Sequence, residues 1–216
     1  DLQKFSSFEF PVQYSEQTLA SFKFTGHQIG GELGAAMQRF ADNPKDATAA
    51  AIIAADPEYV GTLRTTCVAT MLSGGHAENA LPQLATATIN CRIFPGVSVE
   101  SVRLKIAEVI ADSGATVKEV GTSFASDASP LRDDVLQAVR KAVDANFVGL
   151  PVIPSMSSGA TDSLYFRAQG IPSYGVSGAY VMPEDDYSHG LNERVPVSTV
   201  ERGLRHWHVL LTELAK

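Results

Sequence analysis

The chain has 216 residues, of which 44% are hydrophobic and 19% are charged, a composition typical of a globular protein in water. Asp and Glu total 24 against 17 Lys and Arg, and the formal net charge of −7 argues against a nucleic-acid-binding surface. The apolar stretches end before the ~20 residues of a membrane span, so we expect no membrane segment.

The first part of the chain is predicted to be helical. The chain begins at Asp1 without a methionine or a signal sequence, so we interpret it as a fragment or a processed chain and leave its compartment open. From Phe22 to Asp56 we predict short helices, since Asn43-Pro44 and Asp56-Pro57 interrupt the segment. Leu33, Met37 and Phe40 are spaced as on one helical face.

Two strands are predicted next, over Thr65–Leu72 and Leu84–Ile93, and their turn-rich join favours an antiparallel pair. Cys67 and Cys91 would then lie nearly opposite each other. Two cysteines are too few for a disulfide scaffold, and we expect free thiols. Alternation in the second strand predicts a polar face with Thr86, Thr88, Asn90 and Arg92 and an apolar face with Ala87, Ile89, Cys91 and Ile93.

A helix from about Val99 to Ala111, with Ser98 as its N-cap, is predicted to follow, and then a short strand over Thr116–Val120. This order of elements is that of a β-α-β-β-α-β sandwich without its first strand. We therefore predict a first domain over residues 1–121.

The second domain, over residues 122–216, is predicted to contain a β-α-β unit. Ser129–Pro130 is a predicted helix start, and strands over Pro151–Met156 and Tyr174–Val176 flank a helix over Thr161–Gln169. The capping box Ser198-x-x-Glu201 predicts a last helix whose buried face holds Val200, Leu204, Trp207, Leu211 and Leu214.

Two polar segments are candidate binding sites. In the first, GGHAENALP, Asn79 lies in the loop between the strands while Arg92 follows on the polar strand face, so both could converge on one anion. The alternative is a loop-capping asparagine and a solvated arginine. In the second, SSGATD, the main-chain N–H groups of Gly159, Ala160 and Thr161 could approach a ligand at a helix N-terminus. Ordinary capping by Thr161 or Asp162 is the alternative.

A third segment, EDDYSHGLNER, places His189 among acidic residues. This pattern suits metal ligation, because neutral imidazole binds zinc and a carboxylate can orient its second nitrogen. A solvated histidine is the alternative. His206 and His208 lack the spacing of a ligand pair and are interpreted as structural or surface residues, while His27 and His76 stay unassigned.

A nucleophilic site is a weaker alternative. It would use Ser158 as the nucleophile, His189 as the base and Asp162 as the group that orients the base. The sequence has no G-x-S-x-G elbow around Ser158, which counts against a serine hydrolase.

In this order, the three segments resemble the metallopeptidase family of ArgE, DapE, the aminoacylases, glutamate carboxypeptidase and carnosinase-like dipeptidases. GGHAENALPQLATATINCRIFPG is similar to its Gly-Gly-x-x-x-Asn-x-x-Pro strand pair ending in Arg, SSGATDSLYFRAQGIPSYG to its Gly-x-Thr-Asp helix start, and SHGLNERVPV to its His-x-x-Asn-Glu motif. The resemblance covers about Thr65 to Lys216. It implies an α/β fold in which an incomplete ferredoxin-like α+β lid precedes the C-terminal part of a zinc-peptidase catalytic domain.

The resemblance also implies roles for the singled-out residues. His189 would be one of five ligands of a two-zinc site, with cobalt or manganese as substitutes for zinc. Arg92 and Asn79 would hold the C-terminal carboxylate and the carbonyl of the substrate, and Gly159–Thr161 would offer main-chain contacts. Because the lid of one protomer usually completes the active site of the other in this family, a homodimer through the lid is implied.

The implied activity is metal-dependent hydrolysis of an amide bond in dipeptides, C-terminal peptide bonds or N-acyl amino acids. The helical insert over residues 11–64 favours the dipeptidase or carboxypeptidase branch. The other metal ligands and the general base, a glutamate, are expected upstream, so no catalytic residue is assigned here and the chain alone is expected to be inactive. A non-catalytic dimerisation or carboxylate-binding module is the alternative.

Overall fold

The computed structural model describes residues 2–182, 185 and 187–216. They form two compact units, one of Asp1–Ala128 with Ser155–Ile171 and one of Ser129–Pro154 with Pro172–Lys216. Helices and a small antiparallel sheet confirm the mixed α/β class. Residues 155–171 pack with the first unit rather than with the C-terminal one, whereas the assignment of the units to lid and catalytic domain stays a prediction. Within the described ranges, no helix is both long and apolar enough to cross a membrane.

The first unit contains helices α1 to α5, strands β1 and β2 and helix α7, and the second contains helices α6 and α8. In chain order they are α1 Leu2–Ser6, α2 Glu16–Ile29, α3 Gly31–Asp42, α4 Ala47–Ala54, a 3-10 turn Val60–Thr62, β1 Thr66–Gly74, β2 Ala85–Arg92, α5 Val99–Ile110, α6 Asp133–Asp144, α7 Ser163–Ala168 and α8 Ser198–Leu214.

The predicted short helices of the first unit are confirmed as α2, α3 and α4. Met37 and Phe40 are fully buried, and Leu33 packs partly buried against the same apolar cluster, as the helical spacing predicts. Helices α2 and α3 cross closely at two glycines. A Cβ atom built on Gly26 would lie only 2.6 Å from the carbonyl oxygen of Gly34, so a larger residue would not fit there.

Strands β1 and β2 form the predicted antiparallel pair, with Thr66 opposite Arg92 and Gly74 opposite Ala85. The second strand alternates between exposed and partly buried residues, as predicted. The expectation of free thiols is wrong: Cys67 and Cys91 are directly opposite, with Cα atoms 4.1 Å apart, and form a disulfide. Strand register brings the two thiols together, which a count of cysteines does not reveal.

Helix α5 begins after the predicted N-cap, where the Ser98 side chain accepts the backbone N–H of Ser101. Its buried residues join α1 and the inner face of the hairpin in a second apolar cluster. The strand predicted over Thr116–Val120 is wrong for the described chain. The Val117 carbonyl accepts a hydrogen bond from the Arg103 guanidinium instead of from a neighbouring strand.

The second unit departs most from the predictions. Helix α6 begins at Asp133 rather than at Ser129, because the Ser129 hydroxyl is engaged with the backbone of Ser173. The segments Pro151–Met156 and Tyr174–Val176, predicted as strands, have no strand hydrogen bonding. Such short apolar runs form strands only where a neighbouring edge accepts them.

The predicted capping box of α8 is also wrong, and its predicted buried face is exposed in this chain. The N-cap is Val197, which makes no side-chain cap, and Ser198 is the first residue of the helix. The buried residues of α8 are Thr199, His206 and Leu210, one position away from the predicted stripe. A shift of one residue turns a helix by about 100°, so the predicted residues are exposed: Val200, Leu204, Trp207, Leu211 and Leu214.

His206 gives this unit a pH-dependent stability. Its Nδ1 lies 2.8 Å from the Tyr180 hydroxyl, and its buried Nε2 has no hydrogen-bond partner in the described part of the chain. Burial lowers the pKa of His206 below its usual 6.5. The folded ring therefore binds a proton less readily than the unfolded chain does, and the free energy of unfolding should fall as the pH drops below about 6.5, until the folded ring is protonated as well.

Urea unfolding between pH 7.5 and 5.5 measures this effect. His208→Gln, an exposed neighbour on α8, should keep the slope, and His206→Gln should flatten it. NMR titration of the His206 ring in the native protein gives a second test that does not depend on the variant folding. A ring pKa at or above 6.5 would contradict the prediction.

Candidate substrate-binding and metal-ligand residues

Arg92 ends strand β2 on its exposed face, opposite Thr66 of β1. Strand alternation points its side chain away from the apolar cluster that the hairpin covers. Within the described residues the guanidinium takes part in no ion pair or hydrogen bond, whereas Arg64 pairs with Glu9 and Arg103 with Glu100. Arg92 is therefore an exposed cation that is available to an anionic ligand.

Asn79 lies at the other end of the same hairpin. It belongs to the exposed turn between β1 and β2, where the Ala80 N–H donates to the carbonyl of Ala77. Its side chain makes no hydrogen bond within the described residues, so a loop-capping role has no support. Strand β2, from Ala85 to Arg92, separates the two predicted ligand-binding side chains.

This separation makes the predicted convergence of Asn79 and Arg92 wrong within one chain. At a rise of about 3.4 Å per residue, the strand between them is roughly 24 Å long, well beyond the combined reach of the two side chains. A single small anion cannot contact both. The two residues are close in sequence, which suggested a shared ligand. The extended strand between them places their side chains far apart, and the sequence spacing does not show this.

The loop Gly159–Thr161 is exposed and precedes α7. The Gly159 N–H donates to the Ser157 hydroxyl, and the Thr161 hydroxyl accepts the N–H of Ser163. Capping by Thr161, one of the structural alternatives, is therefore observed, while Asp162 makes no side-chain cap. The Gly159 N–H is already occupied, so Ala160 and Thr161 retain the N–H groups that a ligand could reach.

The same loop packs on the helical segment. A Cβ atom built on Gly61 would lie 2.7 Å from the Cβ atom of Ser158, so only glycine permits this approach. The contact places Ser158, the nucleophile of the serine-hydrolase alternative, against the 3-10 turn Val60–Thr62. It is a packing contact, and it gives that alternative no support.

A cleft of about 250 Å³ lies beside this contact within the first unit. No motif in the sequence predicted this cleft. The available signal was a helix face of α2 with hydroxyl groups at residues 18, 21 and 25, positions that usually carry apolar residues when a helix packs. The lining residues come from α2, from the turn after α4 and from the chain before the Gly159 loop: Thr18, Ser21, Phe22, Thr25, Glu58, Tyr59, Thr62, Ser155 and Met156.

His189 lies in an exposed turn of the second unit, with a positive φ of 60°. Its backbone N–H donates to the Glu193 carboxylate, and its imidazole has no hydrogen-bond partner in the described part of the chain. Arg194 stacks on the Tyr187 ring at 3.5 Å and braces the turn. The imidazole ring of His189 is thus free for a ligand. Glu193 does not orient this ring, because its carboxylate binds the backbone N–H of His189. Two acidic residues of the predicted segment, Glu184 and Asp186, lie outside the described residues.

The residues present do not form a complete metal site. Among the described residues no group of three or more His, Cys, Asp or Glu side chains could hold a metal ion. One exposed imidazole binds zinc weakly, because structural and catalytic zinc sites use at least three protein ligands. His27 and His76 are exposed and stay unassigned.

Comparison with known proteins places these motifs in a family. The model of peptidase family M20/M25/M40 matches residues 25–213. The human N-fatty-acyl-amino acid synthase/hydrolase PM20D1 is 32% identical over 64% of this chain and 28% of its own length. A succinyl-diaminopimelate desuccinylase of Cereibacter sphaeroides is 31% identical over 63% of this chain and 35% of its own length. Mouse aminoacylase-1 is 29% identical over 68% of this chain and 36% of its own length.

A solved structure shares the fold. The M20 family metallo-carboxypeptidase Sso-CP2 from Sulfolobus solfataricus matches 92% of this chain and 45% of its own length, with a TM-score of 0.60 and 15% identity. The chain spans about a third of the length of the curated relatives named above, between 28% and 36%. The match is therefore to one part of these longer proteins.

Proposed function

The chain belongs to peptidase family M20/M25/M40, and on that premise we propose that it is the carboxyl-terminal part of a di-zinc amidohydrolase. The substrates would be dipeptides, peptides cleaved at their C-terminal bond, or N-acyl amino acids. The observation that carries the proposal is the exposed guanidinium of Arg92, which has no protein partner in the described chain and suits a substrate carboxylate. One curated relative is named an N-fatty-acyl-amino acid synthase/hydrolase and the similar solved structure a metallo-carboxypeptidase, so the dipeptidase or carboxypeptidase branch stays a prediction.

His189 would supply one zinc ligand, and the remaining ligands and the general base would come from parts of the protein beyond this chain. Two zinc ions, when bound, supply a water nucleophile at neutral pH. Cobalt or manganese would be functional substitutes. The exposed imidazole, which has no hydrogen-bond partner in the described residues, supports this role. By itself the chain would bind zinc weakly and would not hydrolyse an amide.

The protein would act as a homodimer through the first unit. Asn79 and Arg92 lie at opposite ends of one hairpin, so a substrate that uses both would need them from different protomers. The two-stranded sheet also leaves both strand edges unpaired within the described residues. We place no nucleic acid and no membrane among the partners.

The exposed stripe on α8 supports a longer protein. Leu204 and Leu211 are 69% and 60% exposed, and Trp207 is 42% exposed. Burying such a stripe stabilises a fold by about 1.5–3 kcal/mol per large side chain. We propose that the rest of the catalytic domain covers it.

A non-catalytic carboxylate-binding or dimerisation module is the second candidate. It is favoured by the lack of a three-ligand metal group within the described ranges. In that case Arg92 would hold a carboxylate without turnover. A serine hydrolase using Ser158, His189 and Asp162 is the third candidate.

One experiment separates these functions. Metal content and hydrolysis are measured on the full-length protein and on the 216-residue chain, with dipeptides and N-acyl amino acids as substrates. The proposal predicts about two zinc ions and chelator-sensitive turnover in the full-length protein and neither in the chain. A full-length protein without metal or turnover would support the binding module, and turnover that resists chelators but stops with a serine-directed inhibitor would support the hydrolase.

A further inference from the structure

A second cleft of the first unit, with a volume of about 340 Å³, is bordered by a buried arginine. Glu9, Val12 and Arg64 line it, and a hydrogen bond from the Gln13 N–H to the Leu63 carbonyl holds the segment after Glu9 beside Arg64. The rest of the lining is mainly one face of α4 that carries only alanines, at positions 47, 50, 51 and 54. We name this site the alanine cleft.

The guanidinium of Arg64 is only partly satisfied by the protein. The Arg64 side chain is 10% exposed, and its neighbours Leu63 and Thr65 are buried as well. Charged side chains are rarely this buried unless they are paired. Here Nη1 donates to the carboxylate of Glu9, whose side chain is 74% exposed. A surface carboxylate therefore pairs with one corner of a buried cation.

The edge of the Arg64 guanidinium formed by Nε and Nη2 has no acceptor. Nε is buried without a hydrogen-bond partner in the described part of the chain. Nη2 also makes no hydrogen bond within the described residues, but it keeps contact with solvent, so a ligand can reach this edge. Two parallel N–H donors match the two oxygens of a carboxylate. Because an unpaired buried donor costs stability, an external acceptor is favoured here.

The lining of the alanine cleft selects among anions. Val12 and the alanine methyl groups offer no hydrogen-bond donor, so the additional oxygens of a phosphate or sulfate would lose water without a replacement. The negative charge of Glu9 repels a dianion more strongly than a monoanion. The same methyl groups form an apolar surface on which a hydrocarbon chain can lie. A carboxylate with a short carbon chain meets all three conditions.

We propose that the alanine cleft binds a small monocarboxylate with a short hydrocarbon chain. Its two oxygens accept the N–H groups of Nε and Nη2 of Arg64, and its carbon chain lies along the alanine face of α4. Glu9 is a competitor for the guanidinium. Neither Arg92 nor His189 lines this cleft, so the inference does not rest on the proposed function, and the two can fail separately.

Butyrate is the probe, titrated into the full-length protein with isotope-labelled alanine methyl groups observed by NMR. The methyl signals of the four α4 alanines should shift saturably with a Kd in the millimolar range, as expected for so small a ligand. Butyramide has nearly the same shape without the charge and should bind about tenfold more weakly. Butyrate that leaves these signals unchanged, or butyramide that binds equally well, would overturn the site.

Three variants give changes of opposite sign. Arg64→Lys keeps a cation beside Glu9 but loses the two parallel donors, and should weaken butyrate binding about tenfold. Ala51→Leu fills the cleft from an exposed helix position that tolerates leucine, and should weaken binding more than tenfold with the fold intact. Glu9→Gln removes the competing carboxylate and should tighten binding severalfold.

Arg103→Lys is the matched control, because Arg103 pairs with Glu100 and does not line the cleft. It should keep the wild-type affinity for butyrate. Wild-type affinity in both Arg64→Lys and Ala51→Leu, or weaker binding in Glu9→Gln, would refute the site. The pair of Arg64 and Glu9 would then be a structural ion pair only.

Discussion

His189→Ala in the full-length protein should reduce bound zinc from about two ions to about one and lower kcat/KM roughly a thousandfold, because a metal ion supplies several kcal/mol of transition-state stabilisation. The physical reason is the state of the ring: it is exposed, and no hydrogen-bond partner within the described residues competes for its nitrogens. The positive φ of 60° at His189 sets the direction in which its side chain leaves the turn. Metal analysis by plasma mass spectrometry and steady-state kinetics measure both effects.

Two controls separate ligation from local damage. His208→Ala changes an exposed histidine of α8 and should keep zinc and turnover. Arg194→Ala removes the stack on Tyr187 and should weaken zinc binding less than His189→Ala does, since it loosens the turn but leaves the ligand. Unchanged zinc stoichiometry and turnover in His189→Ala would remove this residue from the ligand set.

Arg92→Ala should lower kcat/KM roughly a hundredfold for substrates with a free C-terminal carboxylate, since losing a charged partner of a carboxylate costs about 2–5 kcal/mol when the pair is desolvated. Amidated counterparts lack the negative charge and should lose much less. Arg92→Lys should restore part of the selectivity, because lysine keeps the charge but not the two parallel hydrogen bonds of a guanidinium.

Asn90→Ala is the control for strand damage. Asn90 lies two residues before Arg92 on the same exposed face of β2, so its loss tests the hairpin without touching the cation. An equal loss of rate on amidated and free-acid substrates in Arg92→Ala would show that Arg92 does not bind the substrate carboxylate. The disulfide between Cys67 and Cys91 holds the strand register next to Arg92 in every variant.

Local patterns predicted the elements whose partners are near in sequence. The Ser98 N-cap, the helix face of Met37 and Phe40, and the alternation that exposes Arg92 all follow from spacing along one element. These features depend on contacts within a helix turn or across one hairpin, so a single sequence contains the necessary information.

The elements that failed depend on partners far along the chain. The predicted strands over Thr116–Val120 and Tyr174–Val176 have the right residues but no sheet edge beside them in the described chain. The stripe through Leu204 and Trp207 has a helical period. The face of α8 that packs against α6 is, however, the adjacent one, which carries His206 and Leu210. Close approach of Gly178 to Gly203 sets that rotation: a Cβ on Gly178 would lie 3.0 Å from the Cα of Gly203.

The sequence by itself determined the family motifs and the strand face that carries Arg92, and it predicted the side chains that would bind a carboxylate or a metal, because these depend on residue chemistry and short periods. Only the tertiary structure decided that the two cysteines are bonded, that Asn79 and Arg92 lie at opposite ends of a hairpin, and that a polar cleft with Glu58 is lined by Ser155 and Met156. Strand register, strand length and the packing of distant segments determine which of these residues lie close together. A local sequence pattern does not contain that information.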